Sequence, residues 1–256
     1  MAHTRVPARS TPRTAVVWQV LSAELANYSD RTAAVVDVGG GTGGFAVPLA
    51  EAGHRVTVVD PSPDALAALA RRAAEAGVAE RIHGIQGDGD RLGELLPAGS
   101  ADLVLCHSLL EVVEDPGQVL QAMATTLRPG GAAGSCSSAR AMAGHLSAAA
   151  AQLQDPAAPA GAGDTLRRRF DVDTMTALLS GAGLTVEAVH GVRVLTDLLP
   201  ATVAEADPAA LLALEMELAS RSPYRDIAAQ LHLFARRREP HAPPVPSDAD
   251  TRSGGR

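Results

Sequence analysis

A glycine cluster stands between an apolar run and a helical one. Ala33 to Val38 leads into Gly39-Gly40-Gly41-Thr42-Gly43, and Gly43 to Ala52 continues with helical spacing. A chain that leaves a buried strand through consecutive glycines and enters a helix has few folds open to it, chiefly those built on a parallel sheet. Glycine lets the backbone turn sharply and admits a ligand to van der Waals contact with it. Seventeen residues beyond Gly43, at the end of the run RVTVVD (Arg55 to Asp60), stands Asp60. A carboxylate at the tip of a second strand can accept two hydrogen bonds from a ribose diol. The pair points to an adenosine-containing ligand at the edge of the sheet.

The rest of the chain supplies that sheet. Arg13 to Ala26 reads as a helix packed on the domain that follows. Strands are predicted at Ala33 to Val38, Arg55 to Asp60, Ile82 to Gln86, Ala101 to His107 and Ala132 to Ser137, with helices at Gly43 to Ala52, Pro63 to Ala76 and Gly117 to Leu127 between them. Strands alternating with helices at these lengths give a parallel sheet covered on both faces. The domain spans 31–238, behind an N-terminal helical segment at 1–30. An Ala-rich insertion at about 138–166 falls at the carboxyl edge of the sheet, where it can cover a ligand. After it come a helix capped by Asp171 or Asp173 and ending at Gly181, a strand Leu184 to Leu195 bulged at Gly191, a helix Pro208 to Ser220 and a last strand Ala229 to Arg237. The Pro-rich tail at 239–256 reads as disordered.

Composition narrows the chemistry. All 22 basic side chains other than histidine are arginine, so mechanisms that need a lysine are excluded. The net charge of −7 disfavours a general polyanion binder, and 2% aromatic residues leave few platforms for stacking bases. No stretch approaches the ~20 apolar residues of a membrane span. Two cysteines, Cys106 and Cys136, make no disulfide framework and suit a reducing cytoplasm. No metal site is expected.

Gly39-x-Gly41-x-x-Gly44 also fits a dinucleotide fingerprint, which keeps an NAD-dependent oxidoreductase in view. Asp37 argues for the other ligand. A carboxylate just before the loop repels a pyrophosphate and welcomes a cation, which favours S-adenosylmethionine with its sulfonium and ammonium. Asp88 and Asp90 follow the third strand, where one can accept from an adenine amino group while the other caps the short helix Leu92 to Leu96. His107 ends the fourth strand, facing the crevice or serving there as a satisfied structural histidine. Arg193 lies among apolar neighbours and is costly to bury unless paired. It is the candidate catalytic guide for a substrate carboxylate, with a structural ion pair to Asp197 or Glu215 as the alternative. Should the acceptor need a base, His107, His145, His190 and Tyr224 are candidates. The run Arg167-Arg168-Arg169 reads as a phosphate contact or a solvated helix start.

DVGGGTG, the acid of VVD, LCHSLLEVVEDP and LRPGG together resemble the class I S-adenosylmethionine-dependent methyltransferases. That resemblance implies a Rossmann-like α/β fold: a seven-stranded sheet with its last strand antiparallel and helices on both faces. A narrower resemblance is to the bacterial tRNA 5-carboxymethoxyuridine methyltransferase family. It runs through Arg13 with Trp18-Gln19, His107 with Leu110-Glu111, Gly191-Val192-Arg193-Val194 with Asp197-Leu198, and Pro223-Tyr224 before QLHLFARR. It implies that Arg13, Gly39, Gly40, Asp60, Gly89, Asp90 and His107 hold the cofactor, and that a carboxylate of a modified tRNA wobble uridine is the acceptor. A guanidinium at Arg13 can grip the methionine carboxylate bidentately. Asp37, Gly41 and Asp88 join these as cofactor-binding candidates. Methylation of a small metabolite is the second reading, and a non-catalytic binding module of the same fold is another.

Overall fold

The structure is a computed structural model and describes residues 14–138 and 168–238. The first helix, α1 (Ala15–Leu25), precedes β1 (Ala34–Val38), α2 (Ala46–Glu51), β2 (Arg55–Asp60), α3 (Pro63–Glu75), β3 (Ile82–Gln86), α4 (Leu92–Leu95) and β4 (Ala101–His107). Then follow α5 (Pro116–Thr126), β5 (Leu127–Ser138), α6 (Val172–Gly181), β6 (Leu184–Val192), α7 (Ala201–Ala206), α8 (Pro208–Leu218) and β7 (Gln230–Arg237). Arg13, the insertion, His145, Arg167 and the tail lie outside the described residues.

The seven strands form one sheet in the order β3-β2-β1-β4-β5-β7-β6. β1 pairs in parallel with β2 and β4, and β7 runs antiparallel to both β5 and β6. Strand alternation divides the core in two. Val35, Val56, Val58, Leu103 and Leu105 pack with α1, α2 and α3 on one face. Val36, Val38, Val59, Val104 and Cys106 pack with α5 and α6 on the other. Both faces are covered, which is why the central strands read as unbroken apolar runs. Chain order reverses at β1 and β4, so their carboxyl ends open a crevice.

Helix starts follow their caps. Ser62 Oγ accepts from the Ala65 N–H at 3.2 Å, and Asp171 rather than Asp173 accepts from Thr174 N–H at 2.7 Å. Three expected boundaries shift by three residues or more, and one helix is new. α2 begins at Ala46, not Gly43, because Gly43 has a left-handed backbone (φ 82°) that no helix interior allows. β5 starts at Leu127, drawn into the sheet through the LRPGG stretch. β6 ends at Val192, and its irregularity falls between Val186 and Ala188 rather than at Gly191. α7 lies where the sequence pattern marks no helix.

The amino edge of the sheet is tied by ion pairs. Buried Asp102 accepts from the Arg31 guanidinium at 2.9 and 3.1 Å, from the Ala34 N–H at 2.8 Å and from Arg128. Burial alone would raise its pKa; Arg31, the amide and Arg128 outweigh that and hold it below the usual carboxylate range. Arg236 spans Glu24 and Glu187, and Arg237 and Arg238 bond to Thr125 O and Thr185 Oγ1. The terminal arginine run is therefore stitching at the end remote from the glycine loop. Among the described residues no helix is long and apolar enough to cross a membrane.

Candidate functional site

The loop from β1 to α2 is shaped by three glycines in the left-handed region, Gly39, Gly41 and Gly43. Gly40 is needed for a different reason. A Cβ there would lie 2.5 Å from Asp37 Oδ2, so the loop passes directly over that carboxylate. Asp37 is 2% exposed, and its Oδ2 has no hydrogen-bond partner among the described residues. Burial, and then the neighbouring Asp60, push its pKa up to about 7. A buried carboxylate oxygen left without a donor is costly and calls for a ligand.

Asp60 closes the other side of the loop. Its Oδ2 accepts from the Gly41 N–H and its Oδ1 from the Ser62 N–H, both at 2.9 Å. Each carboxylate oxygen can accept more than one bond, so capacity remains for a diol. Gly89 is buried against this crevice; a Cβ there would lie 3.0 Å from Val38 Cγ1 and 3.1 Å from Leu109 Cδ2. Asp88 and Asp90 flank it and are exposed. Neither makes the expected side-chain cap on α4, whose N-cap position is Arg91. The structure thus brings Asp37, Gly39, Gly40, Gly41, Asp60 and Gly89 together at the carboxyl ends of β1, β2 and β3.

His107 ends β4. Its ring packs 4.3 Å from Phe45, the residue leading into α2, and both ring nitrogens are buried with no partner among the described residues. No described residue satisfies it as a structural histidine. Burial pushes its pKa down to about 4. The sheet register continues the row: His107 pairs with Cys136, Cys136 with His232 and His232 with His190. The three imidazoles lie on the α1 face with ring centroids 6.0 Å apart in each step. His232 is fully buried, and burial, then His107 and His190, hold it neutral. Cys106 and Cys136 are free and buried; burial raises both thiols, that of Cys136 to about 12.

This row predicts acid sensitivity. The folded-state pKa values are depressed, so below about pH 6.5 the unfolded chain takes up protons that folded His107 and His232 refuse. Stability is full above that pH and falls toward pH 4. Asp37, raised to about 7, works in the opposite direction over the same window but counters only one proton. The net loss should be roughly 1.4 kcal/mol per pH unit for each uncompensated proton. Urea unfolding at stepped pH measures it, and His232→Gln should flatten the slope.

Arg193 departs most from expectation. It follows β6 instead of lying within it, and its backbone is left-handed (φ 62°). Its Nη2 pairs with Asp197. Glu215, fully buried on α8, pins the turn through its backbone instead of pairing with the guanidinium. It accepts from the N–H groups of Val194, Leu195 and Thr196 at 2.9, 2.9 and 2.7 Å and from the Thr196 hydroxyl at 2.6 Å. Sequence reasoning gave Glu215 no such role. The available signal was an acid inside the apolar run LLALEMEL. Phe45 and His232 were also missed, since a ring in a core segment carries no mark of its neighbours. Of the arginine run, Arg168 donates to Val113 O and Glu114 O at 3.0 and 3.2 Å, clamping the loop after β4 rather than standing free for phosphate. Of the base candidates, His190 is half-buried beside α1 and Tyr224 is 46% exposed.

Comparison with known proteins supplies the family. A model described as a methyltransferase domain matches residues 35–131, the stretch from β1 to β5 that carries the loop, Asp60 and His107. The matched stretch, with the strand order around it, is a class I S-adenosylmethionine-dependent methyltransferase domain. S-adenosylmethionine is the methyl donor of that family. The chain is 39% identical over 120 residues to the tRNA 5-carboxymethoxyuridine methyltransferase of Escherichia coli, covering 46% of this chain and 45% of that one. It is 40% identical over 97 residues to a ubiquinone biosynthesis O-methyltransferase of Ralstonia nicotianae, covering 38% and 40%. It thus spans under half the length of the curated relatives it matches. An S-adenosylmethionine-dependent methyltransferase structure from Mesorhizobium loti shares its fold, with a TM-score of 0.59, 24% identity and coverage of 87% and 98%.

Proposed function

We propose that the chain transfers a methyl group from S-adenosylmethionine to an anionic acceptor. The observation that carries this is the Asp37 carboxylate oxygen Oδ2, buried without a partner among the described residues beneath a glycine loop that Asp60 holds from the other side. A negative charge there suits a cationic nucleoside and opposes the pyrophosphate of NAD. Asp60 would take the ribose; Gly39, Gly40 and Gly41 let the cofactor approach the backbone. Gly89, with Asp88 and Asp90, would border the adenine. His107 has two unpartnered nitrogens to offer a ligand, and Arg13 would meet the amino-acid carboxylate. Two buried free thiols suit a cytoplasmic setting.

When bound, S-adenosylmethionine supplies an electrophilic methyl on sulfonium. The protein's part is to hold an acceptor atom in line with it and exclude water. An ionised carboxylate needs no general base, only a cation to guide it, and Arg193 would supply that cation. The likeness to the tRNA enzyme supports a carboxylate of a wobble uridine as that acceptor, and the likeness to the ubiquinone-pathway enzyme supports a small molecule. The deciding test is titration with S-adenosylhomocysteine against NADH, then labelled-methyl transfer into bulk tRNA and into a small-molecule extract. Tighter binding of NADH would end the reading.

The state of Asp37 gives a second test. Below about pH 7 it is protonated, and a cationic ligand must displace that proton. Affinity for S-adenosylhomocysteine should rise about tenfold per unit from pH 5 to pH 7 and then level, with one proton released. Calorimetry in buffers of different ionisation enthalpy reads that proton directly.

A further inference from the structure

Among the described residues, two that are not glycine have a left-handed backbone: Ser108 (φ 58°) and Arg193 (φ 62°). Both stand just past a strand end at the carboxyl edge of the sheet, after β4 and after β6. Such strain costs about 1–3 kcal/mol and persists only where the surroundings over-determine it. At Arg193 the surroundings are the four donors converging on Glu215. One guanidinium nitrogen is held by Asp197, and Nε is buried with no partner among the described residues. A guanidinium fixed in this way retains donors for a second anion.

The same edge carries apolar surface. Four large hydrophobic side chains are exposed among the described residues, and three of them, Val112, Leu198 and Tyr224, belong to it. They come from the loop after β4, the turn after β6 and the segment entering β7. Among the described residues the cations at this edge are mostly taken: Arg91, Arg193, Arg221 and Arg225 each already face a carboxylate, and Arg168 and Arg72 are occupied by carbonyls. Nucleic-acid affinity rests on several cations that neutralise phosphates; one anchored guanidinium on an edge with exposed apolar side chains fits a different partner.

The geometry points to an acceptor that is a small amphipathic acid, its carboxylate met by Arg193 and its apolar body lying on Val112, Leu198 and Tyr224. This rests on the methyl-transfer reading and narrows it. A carboxylate oxygen donates an electron pair to the methyl carbon, and the carbon–sulfur pair stays on sulfur. The sulfonium becomes a neutral thioether, the acid becomes its methyl ester, and no proton moves.

The test uses the full chain, labelled S-adenosylmethionine and four acceptors: decanoate, phenylbutyrate, acetate and bulk tRNA. Decanoate and phenylbutyrate should be esterified with kcat/KM at least about tenfold above acetate, since each buried methylene favours binding roughly fourfold. Decanoate should bind the S-adenosylhomocysteine complex in calorimetry. Arg193→Gln should lose that binding while keeping its affinity for S-adenosylhomocysteine, and Leu198→Asp should raise KM for decanoate more than for acetate. Methyl entering tRNA and neither long acid, or acetate matching decanoate, would overturn the inference and leave the methyl-transfer reading standing. Failure to bind S-adenosylhomocysteine would overturn both.

Discussion

Asp60→Ala is expected to weaken S-adenosylhomocysteine binding by about 1–3 kcal/mol, the scale of losing charged hydrogen bonds. The structure gives that change two routes. It removes the acceptor placed for a ribose, and it frees the Gly41 and Ser62 N–H groups, which now fix the loop at 2.9 Å each. Asp60→Asn separates the routes. It keeps an oxygen for one amide but turns its other arm into a donor, so the loop is partly held while the diol loses an acceptor. Calorimetry on the three proteins reads the effect, with far-UV circular dichroism confirming that each folds. Unchanged affinity in Asp60→Ala would remove Asp60 from the site.

Glu215→Ala should be the most destabilising single change at the site, by about 3–5 kcal/mol. Three backbone N–H groups and one hydroxyl would lose their acceptor in a buried setting, and each unsatisfied donor costs roughly 1–3 kcal/mol where water cannot reach it. The full sum is not expected, because the turn can open and let water in. Glu217, two residues on, is the internal control. Its side chain is 55% exposed and, among the described residues, paired only with Arg221, so Glu217→Ala should stay within about 0.5 kcal/mol. Urea unfolding measures both. Equal effects would mean that the Glu215 contacts contribute little and that Arg193 is held by something else.

The parts of the site that were legible in the sequence are those specified by neighbours along the chain. The glycine loop, Asp37 and Asp60 lie at strand ends whose apolar runs mark them, and Asp171 stands where a capping acid was expected. What could not be read depends on distant segments meeting. Glu215 meets residues 194–196 only because α8 folds back on the turn after β6. The histidine row exists only through the registers of β4, β5, β7 and β6. Arg193 looked like a strand residue because Val192 and Val194 flank it; the left-handed backbone that ends the strand there is imposed by a carboxylate some twenty positions away.

The two buried thiols give the molecule internal reporters. Cys106 lies in β4 on the α5 face, and Cys136 lies in β5 on the opposite face, between His107 and His232. Cys106 is 0% and Cys136 6% exposed in the native fold, so an alkylating reagent acts chiefly when a strand lets go. Single-cysteine forms, followed by mass spectrometry over hours, would give opening free energies for each side of the sheet separately. Slower modification at Cys136 alone, once a nucleoside is added, would locate where that ligand tightens the protein without any crystal.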